Sequence, residues 1–247
     1  MIDLSGQVVA ITGGSAGIGE ATALACVRAG AKVAIAARGV EKLDAVVRSI
    51  EELGGEAIAV PADIGEEDQA NEFVNRAHQR FSRLDALVNC AGAAYLGPIA
   101  GAPTEEWRRV IHVNVMGLLY CTHAALALMT AQGSGHIVNI SSVGGRVVDK
   151  YSGIYSLTKF GIGAFSESLR LENLQTGIRV TVIEPGRTDT GIHKQITGKV
   201  GQEVVADHAS VVPLAPDNVA QTVVFALGQP REVSISEILV RPSRQAM

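Results

Sequence analysis

Cysteine is scarce in this 247-residue chain, and the three present, Cys26, Cys90 and Cys121, form no Cys-x-x-Cys pair. An odd number set in apolar stretches argues against a disulfide framework and predicts buried free thiols in a reducing compartment. The six histidines show no His-Glu-x-x-His or comparable spacing, so no metal site is expected. No apolar run reaches the ~18 residues of a membrane span. The opening "MIDLSGQVVAITGG" enters a strand without a basic or apolar leader. A cytoplasmic protein is expected, with no membrane partner. Basic clusters are also missing and the formal charge is −4, which argues against a nucleic-acid surface and leaves room for a local anion site.

Aromatics are only 4% of a chain that is 47% hydrophobic with 27 glycines. That balance predicts a core of Val, Ile, Leu and Ala in close-packed strands and helices. Short apolar strands alternate with longer helical patterns: "QVVAIT" (7–12), a helix over 17–29, "KVAIAA" (32–37), then "VEKLDAVVRSIEELGG" with its Gly-Gly stop. "EAIAVPA" precedes "EEDQANEFVNRAHQRF", and "LDALVNCAG" runs into a glycine turn. A helical stretch over 104–132, the strand "GHIVNISS" (135–142), a helix over 155–175 and "IRVTVIEPG" (178–186) follow. A helix at 216–228 and "ISEILV" complete seven strands. The pattern predicts one α/β domain over 1–247, a Rossmann-like doubly wound parallel sheet with helices on both faces. Both faces are then covered, which accounts for the unbroken apolar strands. Residues 187–215 have weak periodicity and read as a mobile substrate flap.

Open α/β sheets bind ligands beyond the carboxyl ends of their strands. The first such end reads "TGGSAGIG", residues 12–19. Gly13, Gly17 and Gly19, with Ser15 and Ile18 between them, would let backbone approach a pyrophosphate at a helix N-terminus. A purely structural turn is the alternative. At the end of the second strand stand Ala37 and Arg38, where an acid would select NAD. An arginine there can grip a 2′-phosphate, so NADP(H) is the expected cofactor, against the alternative of a solvated arginine.

"GIYSLTKFG" sets Tyr155 and Lys159 four apart. With four tyrosines and six lysines in the chain, chance supplies about 0.1 such pairs. Lys159 lies one helical turn away on the same face, so its charge could stabilise a phenolate and lower the tyrosine's pKa.

Taken in order, "TGGSAGIG", "ADI" (62–64), "NCAG" (89–92), "HVNVMG" (112–117), "NISS" (139–142), "YSLTK" (155–159) and "PGRTDT" (185–190) resemble the short-chain dehydrogenase/reductase family across essentially the whole chain. The resemblance implies a catalytic group of Asn114, Ser142, Tyr155 and Lys159. Tyr155 would be the acid–base and Ser142 a second donor to the substrate oxygen. Asn114 would hold a water that links Lys159 to solvent. Asp63 and Ile64 would sit near the adenine, and Asn89, Ala91 and Gly92 along the middle of the cofactor. Pro185, Gly186, Thr188 and Thr190 would hold the nicotinamide, and Lys159 its ribose. Cys90 replaces a frequent second asparagine, and Ala16 stands where many NADP-using members are basic. "EPGRTDT" and the carboxyl-terminal pattern are similar to a subgroup with the clavulanate-pathway aldehyde reductase and some 3-hydroxy-acid dehydrogenases.

The implied function is NADP(H)-dependent hydride transfer to or from a small aldehyde, ketone or alcohol. A 3-ketoacyl carrier-protein reductase and a non-catalytic NADP-binding sensor are the alternatives. Val143, Tyr95 and Leu96 are expected in the substrate pocket. Arg146, Arg187, His193 and Lys194 either bind an anionic substrate or are solvated loop charges. Family members pair the helices near 104–132 and 151–176, so a homo-oligomer, dimer or tetramer, is expected.

Overall fold

The structure is a computed structural model, which describes residues 2–196, 198–207 and 211–246. Seven strands form one parallel sheet: β1 (Val8–Thr12), β2 (Lys32–Ala37), β3 (Ala57–Pro61), β4 (Ala86–Asn89), β5 (Gly135–Ile140), β6 (Ile178–Pro185) and β7 (Glu237–Val240), in the order β3-β2-β1-β4-β5-β6-β7. The chain begins at β1, moves outward to β3, and then crosses back to β4. That reversal opens a crevice above the carboxyl ends of β1 and β4, the place where doubly wound sheets bind ligands.

Strand alternation assigns each face its core. Val9 and Ile11 of β1 pack with α1 (Gly17–Arg28), α2 (Val40–Glu52) and, from the chain's far end, Val219, Val223 and Leu227. Val8 and Ala10 face the opposite core, with α3 (Glu67–Phe81). On α3 the buried residues Ala70, Phe73, Val74 and Ala77 follow the helical repeat. Phe73 is among the largest fully buried side chains, and removing such a ring costs about 3–5 kcal/mol.

The stretch 104–132 is one helix in three parts: α4 (Thr104–Ile111), a wider π-turn at His112–Gly117, and α5 (Leu118–Gln132). By length and composition it could cross a bilayer. Cys121, Ala125 and Met129 are nevertheless buried in the core shared with α3. Helix α6 (Gly153–Glu172) covers β5 and β6, α7 is Lys199–Asp207, and α8 (Pro216–Leu227) follows it in the chain.

One element escaped the sequence pattern. The segment read as a flap carries a short 3-10 turn (Ile192–Gln195) and α7 (Lys199–Asp207). Nine residues are too few for a stable isolated helix, and Gly201 interrupts its apolar repeat. That glycine is what seats it, since a Cβ there would lie 2.5 Å from the Leu96 carbonyl oxygen. Thr197 and residues 208–210 of the segment lie outside the described residues.

Candidate active site

A cleft of about 890 Å³ runs along the carboxyl ends of the strands, from β2 past β1 and β4 to β6. At its centre the buried Thr12 Oγ1 accepts hydrogen bonds from the Cys90 and Ala91 backbone N–H groups, at 3.0 and 3.1 Å. This ties the β1 and β4 turns together, and Gly13 must fit between them. It adopts φ +69°, and a Cβ there would stand 2.8 Å from the Ala91 Cα. Gly19 is tighter still, because its Cβ would fall 2.2 Å from the Gly13 carbonyl oxygen. Ser15, Ile18 and Gly19 line the cleft, and no side chain caps the start of α1. This bare backbone cradle beside a helix N-terminus suits a pyrophosphate. Gly17 does not line the cleft, but packs at φ +57° against Thr190 of the opposite rim.

The end of the cleft at β2 is cationic. The Arg38 side chain is 76% exposed and lies 4.0 Å from Asp63, a contact too weak in water to tie up the guanidinium. The Asp63 carboxylate accepts from the Gly65 N–H, and Ile64 is buried beneath. Lys42, in the first turn of α2, lines the same end. It was not among the residues the sequence singled out.

Ser142, Tyr155 and Lys159 meet in the wall between β4, β5 and α6. The Ser142 Oγ accepts from the Gly144 N–H at 3.1 Å, which fixes its rotamer and leaves its proton for donation. Burial raises the Tyr155 pKa above the ordinary phenol value, and a hydrogen bond from Ser142 pulls it partly back. Lys159 is buried, its ammonium donating to the Ile140 carbonyl at 2.9 Å and lying 5.7 Å from the Tyr155 ring centre. Burial depresses its pKa to about 8, with Cys90 opposing the shift. Burial, rather than the lysine charge expected from the four-residue spacing, is thus the largest influence on the tyrosine. Desolvation dominates both groups, and the phenol is neutral.

Asn114 sits in the π-turn, a feature that clusters at functional sites. Its side chain is held at three points: Oδ1 accepts from the Ala93 N–H, and Nδ2 donates to the Ala93 carbonyl and Thr158. It positions the loop after β4 and the helix carrying Lys159, without touching Lys159 itself. Asn89 also departs from expectation. The pleat of β4 turns it away from the cleft, where its Nδ2 donates to Thr122 and Asn139 in the interior. Ala91 and Gly92 do line the cleft. Cys26 and Cys121 are buried, whereas Cys90, at the crevice, is only half-buried; all three are free thiols.

At the β6 end, Pro185, Gly186, Thr188 and Thr190 line the cleft with Arg187, His193 and Lys194. Arg146 does not. Its guanidinium bonds the buried Glu184 at 2.5 Å and also pairs with Glu237, which removes it as a substrate anchor. Val143 and Leu96 line the cleft, while Tyr95 lines a separate cavity of about 210 Å³. Two contacts here have no sequence signature. Arg109 of α4 donates to Glu106, the Ala94 carbonyl and Gln195, linking α4 to the Ile192–Gln195 turn. Gln245, from the carboxyl-terminal tail, accepts from the Arg187 N–H.

A family model described as short chain dehydrogenase matches residues 7–201. The chain is 36% identical over 242 residues to an uncharacterized oxidoreductase of Staphylococcus aureus (strain USA300), covering 98% of this chain and 100% of that protein. It is also 36% identical over 239 residues to the glycine betaine reductase ATRR of Emericella nidulans, covering 97% of this chain but only 19% of that protein. A metagenomic short-chain oxidoreductase in complex with NADP matches with TM-score 0.83 and 32% identity, over 98% of this chain and 99% of that one. The closed form of a serine dehydrogenase complexed with NADP+ matches with TM-score 0.90 and 29% identity, over 98% and 97%. With its motifs, sheet order and relatives in agreement, the chain belongs to the short-chain dehydrogenase/reductase family of oxidoreductases.

Proposed function

We propose that the protein is an NADP(H)-dependent oxidoreductase that interconverts a small aldehyde or ketone with its alcohol, using Tyr155 as the acid–base group. The observation that carries this reading is one continuous cleft lined by Arg38 and Lys42 at one end and by Ser142, Tyr155 and Lys159 further along. The cradle around Gly13 and Gly19 fits a pyrophosphate, and the two cations fit a 2′-phosphate better than a free ribose hydroxyl. Two structural neighbours bound to NADP support the same cofactor.

When bound, the nicotinamide supplies or accepts the hydride. A carbonyl under reduction gathers negative charge on its oxygen, and that oxygen needs donors. The Ser142 hydroxyl is oriented for this by the Gly144 N–H. The Tyr155 phenol, kept protonated by burial, donates the proton in the reductive direction and accepts one in the oxidative direction. Lys159, 5.7 Å from the ring centre, would stabilise the phenolate that this transfer leaves.

Exposed apolar side chains along α6, Leu157, Phe160 and Leu171, favour pairing of this face in a homo-oligomer, which light scattering would read directly. NADPH oxidation against a panel of small aldehydes, ketones, hydroxy acids and acyl thioesters tests the activity. Turnover of aldehydes or ketones is the expected result. Turnover of thioesters alone would favour a carrier-protein reductase, and no turnover with tight NADPH binding would favour a sensor.

A further inference from the structure

We infer that the substrate of this cleft carries a carboxylate besides its carbonyl, and that Arg187 anchors it; the inference rests on the reductase reading above. Arg187 follows Gly186 at the end of β6, in the same cleft wall as Ser142 and Tyr155. Its backbone is held on both sides: the N–H donates to Gln245 Oε1 at 2.9 Å, and the carbonyl accepts from the Leu214 N–H at 2.9 Å. The root of the side chain is therefore fixed, which reduces the entropy lost on gripping a ligand.

The guanidinium itself is incomplete. Its Nη1 is buried and has no hydrogen-bond partner among the described residues. An arginine is always charged, and a buried charged donor without an acceptor is costly. The neighbouring arginines show the contrast. Arg109 has Glu106, Gln195 and the Ala94 carbonyl, and Arg146 has Glu184 and Glu237. Arg109 and Arg187 both line the cleft, but of the three arginines only Arg187 has a buried guanidinium nitrogen left without a partner among the described residues. A planar fork of donors matches a carboxylate in two parallel hydrogen bonds. The ligand class is therefore a small oxo acid, or the matching hydroxy acid, with its carbonyl at Tyr155 and its carboxylate at Arg187.

The rival partner for Nη1 is the cofactor's pyrophosphate, and the two assignments separate experimentally. The probes are linear oxo acids with the carbonyl two to five carbons from the carboxylate, each beside its methyl ester. Wild-type enzyme should prefer at least one acid over its ester by about 30-fold or more in kcat/KM, the scale of a desolvated charge pair. Arg187→Gln should bring that ratio to about unity while leaving turnover of the ester and the NADPH Kd within about threefold. Arg187→Lys, which keeps the charge but not the fork, should retain an intermediate preference. Calorimetry supplies a readout free of turnover: succinate should bind the NADP+-loaded wild type and bind Arg187→Gln about 10-fold more weakly or worse. Equal use of acids and esters by wild type would overturn the inference. So would an Arg187→Gln enzyme that loses NADPH affinity but keeps its acid preference, which would assign the guanidinium to the pyrophosphate. Absence of NADPH oxidation with acids and esters alike would sink the reductase reading, and the succinate titration would still decide whether Arg187 holds a carboxylate.

Discussion

The two ends of the cleft are made of different material. At β1 the wall is backbone, shaped by glycines at places where a single methyl group would strike a carbonyl or a Cα, with the Arg38 and Lys42 side chains only at its β2 margin. At β6 the wall is side chain, assembled from α4, the Ile192–Gln195 turn and the carboxyl-terminal tail through contacts such as Arg109 with Gln195 and Arg187 with Gln245. A backbone wall fits a ligand part that many proteins share. A side-chain wall can be rebuilt residue by residue and so can suit one substrate.

Lys159 stands where the two ends meet, and changing it has the largest expected effect. Lys159→Met should slow turnover by about 100- to 10,000-fold, the usual worth of acid–base assistance. It should also stabilise the ligand-free protein. The folded pKa of about 8 lies below the ordinary lysine value of about 10.4, so the unfolded chain holds the proton more tightly between those limits. The cost of burying the charge is thus full below pH ~8 and fades as pH rises toward ~10.4. Scanning calorimetry should show a raised unfolding midpoint at pH 7, on the order of 2–3 kcal/mol less the Ile140 carbonyl's lost partner, and a shrinking gain above pH 8.

Gly19→Ala probes the backbone end. The added Cβ meets the Gly13 carbonyl, so denaturant unfolding should show a loss of about 1–3 kcal/mol. NADPH binding by fluorescence should weaken about 30-fold, the cradle having shifted. Arg38→Ala should raise the NADPH KM about 10-fold and leave the NADH KM nearly unchanged, with Lys42→Ala a smaller version of the same. At the side-chain end, Arg109→Ala should lower kcat/KM for the carbonyl substrate about 3- to 10-fold without changing the NADPH Kd. Equal damage to NADPH binding in that variant would erase the distinction between the two ends.

The same contrast explains what could be read in advance. Strand alternation and glycine spacing are local, so the seven strands, the β1 turn and the Tyr155–Lys159 turn were legible from residues near one another in sequence. Asn89 was assigned to the cofactor because the family resemblance of its motif implied it, but the pleat of β4 sends its side chain inward to Thr122 and Asn139. Arg146 read as a free cation because its partners, Glu184 and Glu237, are 38 and 91 residues away. Helix α7 was not read because Gly201, which packs on the Leu96 carbonyl, interrupts its apolar repeat. Desolvation of Tyr155 and Lys159 could not be read either, since it depends on the walls around them and not on their spacing.

The central claim is that Tyr155 supplies the proton while the cofactor end binds independently. It is tested most directly by measuring, on Tyr155→Phe, single-turnover NADPH oxidation with an accepted carbonyl substrate and the NADPH Kd on the same preparation. The account predicts a rate lower by about 1,000-fold or more with the Kd within about threefold of wild type. A Tyr155→Phe enzyme that still oxidises NADPH at close to the wild-type rate would contradict it.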